Sequence, residues 1–369
     1  MIYSGLLDLV GNTPTVQLRS EATTEPAHLF AKLEGYNPTG STKDRPAAYI
    51  IRKLLLSGEL RRGATVVESS SGNFGVALAA VCRAEGLRFV CVVDPLLLAH
   101  NRFLLEQYGA EISQVDTRDD SGGYLKGRIA RVQEIVESTC GALWINQYAN
   151  EGNARAHYFG TGMEIYKAFV DQGLDYVFVP VSSGGTIAGV SQLLKQLFPQ
   201  VQIIAVDTSG SVIFGGPPGK RHIPGMGSSI RPDNLQRAQI DRVVMVDEED
   251  IVRGCLELLH RFGLFVGGSS GAAYCAAKQL LNDPQFVPIV SREYPQWRAH
   301  QREKPNVLLL FPDRGDRYGA TLYSREWVTQ TFPRLAGAEL LRRAPSDTAV
   351  LSIGASTSKG PRAAQGAKV

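Results

Sequence analysis

The stretch Asn37-Pro38-Thr39-Gly40-Ser41-Thr42-Lys43-Asp44-Arg45 follows an apolar run that is typical of a short buried strand. The Asn-Pro-x-Gly turn and the candidate N-caps Ser41 and Thr42 predict that a helix begins here, with Asp44 in a capping-box position. Lys43 would then lie in the first helical turn, where the helix dipole disfavours a cation. The position favours either an anion bound beside Lys43 or a Schiff base between Lys43 and an aldehyde cofactor. A capped surface helix with an incidental lysine is the competing interpretation.

Strand-like and helix-like runs alternate along most of the chain. The predicted strands lie at residues 29–33, 65–68, 88–94, 112–115, 143–146, 176–181, 201–206, 242–246 and 307–311. Such alternation implies right-handed crossovers and a parallel sheet with helices on both faces. A segment rich in glycine and proline, residues 210–232, interrupts the alternation, and a loop of that length in a compact domain is usually functional or disordered.

The composition argues against several classes of function. With a net charge of +3 over 369 residues and no basic stripe interleaved with aromatic residues, nucleic-acid binding is not expected. No apolar run approaches the roughly 18 residues that span a bilayer, and the N-terminus has no basic segment before an apolar core. We therefore expect no membrane association and a cytoplasmic location. The five cysteines and six histidines are dispersed without ligand spacing, which argues against a metal site.

Three further strand-to-helix turns are rich in glycine and small hydroxyl residues, namely residues 68–75, 181–187 and 267–272. Backbone N–H groups at such helix starts suit a carboxylate or a phosphate, and glycine lets the backbone approach the anion closely. None of these turns is a P-loop or a Gly-x-Gly-x-x-Gly motif, and each alone fits a plain capping turn at least as well.

Together, the lysine stretch and the three turns resemble the cysteine synthase and cystathionine β-synthase family of pyridoxal 5′-phosphate enzymes. The resemblance implies an α/β fold of two parallel or mostly parallel twisted sheets covered by helices, of the tryptophan synthase β-like type (fold type II). It implies a larger phosphate-binding domain of residues 1–39 and 147–330 and a smaller mobile domain of residues 40–146 that closes over the substrate. It also implies a homodimer that acts on small amino acids. Residues 331–369 would form a C-terminal extension without an apolar pattern in its last part, and we expect disorder there from residue 345 onward.

The resemblance also implies a role for individual residues. Lys43 would carry the cofactor, Asn73 would hydrogen-bond its phenolic oxygen, and Ser269 would contact its pyridine nitrogen. A hydroxyl at that nitrogen makes the ring a weaker electron sink than an aspartate would, which suits elimination over transamination. The phosphate would be held by Ser182, Ser183, Gly184, Gly185 and Thr186. The substrate site would comprise Ser69, Ser70, Ser71, Gly72 and Gln147, with Gly225 in a strip that closes over it.

Further segments resemble one branch of the family, whose members couple O-phospho-L-serine to the amine of L-glutamate. They are residues 122–125, 144–150, 210–215 and 312–318. This branch implies that phosphate leaves, that the reaction passes through an α-aminoacrylate, and that the product leads to 2,3-diaminopropionate, a siderophore and antibiotic precursor. An acceptor with two carboxylates needs cationic partners, and Arg128 and Lys126 on the predicted helix from Tyr124 are our candidates. A solvated helix face explains both cations equally well. Tyr148 and Ser182 are further candidates on the acceptor side.

Two other functions stay open at this point. The first is a cysteine synthase that combines O-acetylserine or O-phosphoserine with sulfide, although Ser182 replaces the glycine that the family has there and so argues against a small acceptor. The second is a non-catalytic protein that binds pyridoxal phosphate or a nucleotide, against which Lys43 and the intact Ser-Gly-Asn turn argue.

Overall fold

Strands and helices alternate through the computed structural model, which describes residues 2–19, 26–118, 123–290, 303–338 and 341. The strands are β1 (Thr15–Gln17), β2 (His28–Leu33), β3 (Thr65–Ser69), β4 (Arg88–Val93), β5 (Glu111–Gln114), β6 (Leu143–Trp144), β7 (Tyr176–Pro180), β8 (Gln202–Thr208), β9 (Arg242–Val246) and β10 (Asn306–Phe311). The helices are α1 (Asp44–Ser57), α2 (Asn73–Glu85), α3 (Ala99–Gln107), α4 (Leu125–Ser138), α5 (Glu151–His157), α6 (Met163–Phe169), α7 (Gly185–Leu197), α8 (Glu248–Phe262), α9 (Gly268–Leu281) and α10 (Arg325–Thr331).

The strands form two sheets, as the family resemblance implies. The smaller sheet has the order β5-β4-β3-β6, and all its neighbours are parallel. The larger sheet has the order β1-β2-β10-β7-β8-β9 and is parallel except for β1, which runs antiparallel to β2. The predicted α/β fold of two mostly parallel sheets is therefore confirmed.

Helices cover both faces of the larger sheet, and alternate side chains of each central strand pack against the helices on opposite faces. Along β10, Val307, Leu309 and Phe311 join the core that contains α8 and α9, whereas Leu308 and Leu310 join the core that contains α6 and α7. Successive side chains of a strand point to opposite faces, so a strand buried on both faces is apolar throughout.

The two sheets use separate parts of the chain. The smaller sheet takes all its strands from residues 65–144, and the larger sheet takes its strands from before and after that segment. The domain boundaries at residues 39 and 146 and the mobility of the smaller domain stay predictions. The predicted disorder from residue 345 onward lies outside the described residues.

The predicted strands and helices are present, and the elements that were not predicted are short. The strand predicted at residues 242–246 matches β9, and residues 210–232 carry neither helix nor strand in the described structure. Sequence analysis missed β1, α5 and α10, of three to seven residues each. None of the described helices combines the length and the apolar composition of a membrane span. The described residues also contain no cluster of three or more His, Cys, Asp or Glu side chains that could hold a metal ion.

Parallel strands of the larger sheet bring three loops to one edge. The loop with Lys43 comes shortly after β2, the loop with Ser182 follows β7, and Asp313 follows β10, which lies between those two strands. Ligands of open α/β sheets bind outside the carboxyl ends of the strands. This edge therefore carries the candidate functional site.

Candidate active site

Lys43 directly precedes α1, but the start of that helix differs from the predicted one. The Asp44 carboxylate, 2% exposed, accepts a hydrogen bond from the Thr39 N–H at 2.6 Å and another from the Thr39 hydroxyl. Ser41 Oγ accepts one from the Lys43 N–H at 3.3 Å. The predicted capping box is wrong because the Asp44 carboxylate folds back into the Asn-Pro-Thr-Gly turn and stabilises the turn instead.

A cleft opens over Lys43 at the edge of the larger sheet. Its walls include Thr42, Lys43, the loop Ser182–Gly184, Thr186 and Gly225. Burial lowers the pKa of the Lys43 amine, although the nearby carboxylates of Asp313 and Glu34 act in the opposite direction. A lysine with a lowered pKa is more often neutral, which is the form that acts as a nucleophile or a base.

The loop before α7 requires glycine at two positions. Gly184 has φ 78°, in the left-handed region, and a Cβ there would lie 2.9 Å from the Leu235 backbone nitrogen. A Cβ on Gly185 would lie 2.1 Å from Asn153 Oδ1. Among the described residues no side chain caps α7, so its first backbone N–H groups are available to an anion in the cleft.

Two hydroxyls of this loop are tied to the surrounding structure. Ser182 Oγ donates to the Gly227 carbonyl oxygen at 3.2 Å, which connects the loop to the strip around Gly225. Thr186 Oγ1 lies 3.2 Å from Nε2 of His157. Burial lowers the pKa of His157 to about 3, so this histidine is neutral and structural.

The turn after β3 lies against Gln147, which is also predicted to belong to the substrate site. Ser70 Oγ accepts from the Gly75 N–H at 3.0 Å and so serves the start of α2. Gln147 Nε2 donates to the Ser69 carbonyl oxygen at 3.5 Å. Ser69 Oγ is buried and has no hydrogen-bond partner within the described chain.

Glu68 is a buried carboxylate beneath these residues that sequence analysis did not single out. Oε1 accepts from the Ser69 N–H at 2.9 Å, and Oε2 accepts from the Gln147 N–H at 3.3 Å. Asn146, with φ 53°, makes the left-handed turn that brings Gln147 here. Glu68 therefore fixes Ser69 relative to Gln147, although these residues are far apart in the sequence.

We expect Glu68 to make the folded protein less stable as pH rises. Burial raises the pKa of Glu68 from 4.5 to about 7 despite its N–H donors. The folded state therefore binds this proton more tightly than the unfolded state, and stability decreases between those two pKa values by about 3 kcal/mol at most. Urea unfolding at several pH values should show a shallower decrease for Glu68→Gln, which cannot ionise.

The matched control for this prediction is Glu111→Gln, because Glu111 lies in the same sheet with 66% of its side chain exposed. That variant should keep the pH dependence of the original protein. An unchanged pH dependence in Glu68→Gln would contradict the prediction.

Arg128 on α4 reaches the turn after β3. The sequence is compatible either with acceptor binding by Arg128 or with a solvated helix face. Nη1 of Arg128 donates to Ser71 Oγ at 3.0 Å and lies 3.2 Å from Asp94 Oδ2. Nε of Arg128 is buried without a hydrogen-bond partner in the described structure. Lys126 is exposed on the same helix. Arg128 is thus part of the site region rather than of a solvated helix face.

The turn at 267–272 lies at the start of α9, where Ser269 is buried. The Gly267 N–H donates to the Asp313 carbonyl oxygen at 3.1 Å, and a Cβ on Gly267 would lie 2.0 Å from Asp313 Oδ1. Asp313 also accepts a hydrogen bond from Asn73 Nδ2 at 2.6 Å. The sequence offered Asp313 only within a segment that resembled one branch of a family, and its partners could not be deduced.

Most of the predicted residues therefore fall into two neighbouring groups, whereas Ser269 lies at the start of α9 and Lys126 is exposed. Lys43, Gly225 and the loop before α7 line the cleft. The second group surrounds the turn after β3 and is linked by hydrogen bonds: Gln147 to Ser69, Arg128 to Ser71, and Asn73 to Asp313. Tyr148 follows Gln147, and its carbonyl oxygen accepts from Asn234 Nδ2 at 3.0 Å. The roles that the resemblance implies for these residues stay predictions.

Comparison with known proteins identifies the kind of enzyme that this site belongs to. The family model described as pyridoxal-phosphate dependent enzyme matches residues 6–289. A protein of Ralstonia nicotianae named N-(2-amino-2-carboxyethyl)-L-glutamate synthase is 42% identical over 346 residues, which cover 94% of this chain and 97% of that relative. A protein of the same name from Cupriavidus metallidurans is 42% identical over 336 residues, which cover 91% of this chain and 94% of the relative.

A solved structure supports the same relationship. The crystal structure of O-ureido-L-serine synthase superposes with a TM-score of 0.77 at 30% sequence identity, covering 88% of this chain and 96% of that one. The fold that the sequence resemblance implies is thus confirmed by sequence and by structure.

Proposed function

The chain belongs to the family of pyridoxal-phosphate-dependent enzymes, and from this premise we propose that it joins O-phospho-L-serine to the amine of L-glutamate. The Cβ–O bond of O-phosphoserine breaks, a Cβ–N bond to the glutamate amine forms, and phosphate is released together with the proton that the amine loses. The product is N-(2-amino-2-carboxyethyl)-L-glutamate. The name of two relatives at 42% identity supports this choice, and the observation that carries it is the Arg128 guanidinium beside Ser71.

The cleft has the features that pyridoxal phosphate requires. Lys43 lies there with an amine whose pKa is lowered by burial. The start of α7 offers backbone N–H groups that no side chain of the described chain caps. Thr42 Oγ1, in the same wall, is buried and has no partner among the described residues. A reactive amine and a phosphate-binding helix start thus face one cleft, as the two ends of the cofactor need.

Each group of residues would have its own task in the reaction. When bound, the cofactor withdraws electrons from the substrate Cα and so acidifies its proton. Lys43 Nζ takes that proton as general base and later returns it. The backbone of Ser183–Thr186 holds the phosphate of the cofactor, and the turn Ser69–Gly72 with Gln147 holds the carboxylate of the donor substrate.

Arg128 would bind a carboxylate of the acceptor. An arginine presents Nε and Nη2 side by side, and this edge fits a carboxylate with two parallel hydrogen bonds. In this structure Nη1 serves the contacts with Ser71 and Asp94. Asp94 thus holds the guanidinium at the substrate turn. Burial raises the pKa of the nearby Tyr148 hydroxyl, which therefore stays protonated and can donate a further hydrogen bond.

The proposal is tested with the cofactor-loaded protein and a panel of substrates. O-phospho-L-serine or O-acetyl-L-serine is combined with L-glutamate, L-glutamine or sulfide, and the products are weighed by mass spectrometry. We expect phosphate release and the glutamate adduct from the first donor. Faster conversion of O-acetyl-L-serine with sulfide would show a cysteine synthase instead and would overturn the proposal.

Replacing Arg128 by methionine should raise the KM for L-glutamate. Loss of hydrogen bonds to a charged group costs about 1.5–3 kcal/mol, which corresponds to about ten- to hundredfold. Steady-state kinetics with each substrate varied in turn should show a smaller change in the KM for O-phospho-L-serine.

The control for Arg128→Met is Arg131→Met on the same helix. The side chain of Arg131 is 48% exposed and pairs with Glu134, so that variant should keep both KM values. Equal effects of the two substitutions on the KM for glutamate would argue against a role of Arg128 in acceptor binding.

A further inference from the structure

The segment Pro312–Tyr318 after β10 contacts three of the four chain segments that carry predicted cofactor residues, namely those with Lys43, Asn73 and Ser269. The Thr42 N–H donates to the Pro312 carbonyl oxygen at 2.8 Å, and the Gly267 N–H donates to the Asp313 carbonyl oxygen at 3.1 Å. The third contact joins side chains, since Asn73 Nδ2 donates to Asp313 Oδ2 at 2.6 Å. The segment thus bonds directly to Asn73. It reaches Lys43 through the adjacent Thr42 and Ser269 through the nearby Gly267.

The amide of Asn73 is held from both sides. Its Oδ1 accepts a hydrogen bond from Arg317 Nη1, and its Nδ2 donates to Asp313. A guanidinium is only a donor, so Arg317 requires the oxygen end of the amide, and the carboxyl oxygen of Asp313 accepts from the nitrogen end. An amide nitrogen carries two hydrogens, and the described residues leave one of them for another acceptor.

Asp313 and Arg317 are themselves held in place. The Tyr318 hydroxyl donates to Asp313 Oδ2 at 2.5 Å, and Arg317 Nη2 donates to the Thr39 carbonyl oxygen. Both charged side chains are buried, with 3% and 4% exposed. The charged and titratable groups near Asp313 are Arg317, Lys43, Tyr318, Tyr323 and Cys255. Such a buried network keeps the orientation of the Asn73 amide fixed.

We propose that Asp313 and Arg317 are positioning residues that hold the Asn73 amide so that a single N–H remains for the ring oxygen of bound pyridoxal phosphate. A site that can only donate favours the ring oxygen in its deprotonated form. The inference rests on the cofactor of the proposed function and on the predicted role of Asn73, but not on the identity of the substrates. The reacting atoms are not touched by Asp313 or Arg317.

The absorbance of the cofactor-loaded protein tests this inference without any substrate. The balance between a visible and a near-ultraviolet band reports whether the ring oxygen is deprotonated. Asp313→Asn can offer Asn73 either an N–H or an oxygen, so it removes one of the two partners that orient the amide. In this variant we expect the visible fraction to fall at least about twofold and the cofactor dissociation constant to rise about tenfold. Arg317→Lys keeps the charge but loses the forked donor, so it should change the spectrum in the same direction.

Asp316→Asn is the matched control, because Asp316 lies in the same segment but is exposed and pairs with Arg314. Its spectrum should equal that of the original protein. If Asp313→Asn does not fold, the spectrum of Arg317→Lys decides in its place. Unchanged spectra of the folded variants would overturn the inference.

A double-mutant cycle distinguishes positioning from a direct effect of charge on Lys43. In an Asn73→Ala background, Asp313→Asn should have no further effect on the spectrum, because Asp313 acts through Asn73. An equal effect in both backgrounds would overturn the inference. Failure of the proposed reaction would appear differently, as an intact chromophore in the original protein without product from O-phospho-L-serine and L-glutamate.

Discussion

Lys43→Ala should abolish both the covalent attachment of the cofactor and the turnover of substrate. A positioned base contributes about a hundred- to ten-thousandfold to the rate, and loss of the reactive amine removes the attachment site as well. Burial lowers the pKa of this amine, which favours the neutral form that both cofactor attachment and proton removal require. Lys43→Ala should therefore lose product formation by about a thousandfold or more.

The measurement combines activity with chemistry at the side chain. Borohydride treatment of the loaded original protein should fix the cofactor irreversibly to the peptide that contains Lys43, and the variant should show no such adduct. Lys53→Ala is the control, since Lys53 lies on α1, the helix that begins directly after Lys43, and is exposed. A Lys43→Ala protein that keeps its activity would revive the interpretation of an incidental lysine at a helix start.

Arg45→Met should cause the largest loss of stability. The Arg45 guanidinium contacts Glu34 through Nε at 2.5 Å and Glu164 through Nη1 at 2.7 Å, and it is 4% exposed. Removing one partner of a buried ion pair costs about 3–5 kcal/mol, because the remaining charge is left in a poorly solvated place. Denaturant unfolding should show this decrease at neutral pH.

The pH dependence gives a second test of the same network. Burial by itself would raise the pKa of Glu34, but the Arg45 charge and its hydrogen bonds hold that pKa at about 2, below the ordinary 4.5. The ionised form therefore stabilises the fold above pH 4.5, and this stabilisation is lost as the pH falls towards 2. Arg45→Met should remove most of this acid-dependent loss.

Arg52→Met is the matched control on the same helix. Arg52 pairs with Asp8 at 2.7 Å, but the side chains are 46% and 34% exposed. Exposed ion pairs contribute little, so this variant should unfold almost like the original protein. Equal destabilisation by Arg45→Met and Arg52→Met would contradict the assignment of Arg45 as a buried anchor of α1.

The Arg45 network also explains how Lys43 is placed. Glu34 directly follows β2, and Glu164 belongs to α6. In the sequence, β2 comes before the strands of the smaller sheet and α6 comes after them. Lys32 Nζ adds a contact with Glu164 at 2.7 Å. The first turn of α1 is thereby tied to the larger sheet, two residues after Lys43. We therefore expect some loss of activity in Arg45→Met even where the variant remains folded.

Local patterns were sufficient for the architecture and for locating Lys43 at the start of a helix. Apolar runs, glycine turns and helical spacing are properties of neighbouring residues, so they could be read directly for β9 or for the turn before α7. The predicted capping box at Ser41 is wrong because the Asp44 carboxylate binds Thr39 instead. Sequence spacing alone does not tell which of two nearby residues a carboxylate will bind.

The sequence by itself determined the α/β fold, the position of the lysine and the family to which the chain belongs. The tertiary structure alone decided which charges surround that lysine. Asn73 and Asp313 are 240 residues apart, and Arg45 and Glu164 are 119 apart. A hydrogen bond between such distant residues leaves no periodic trace in the sequence, because it forms only after β10 and α6 have packed beside the loop that carries Lys43.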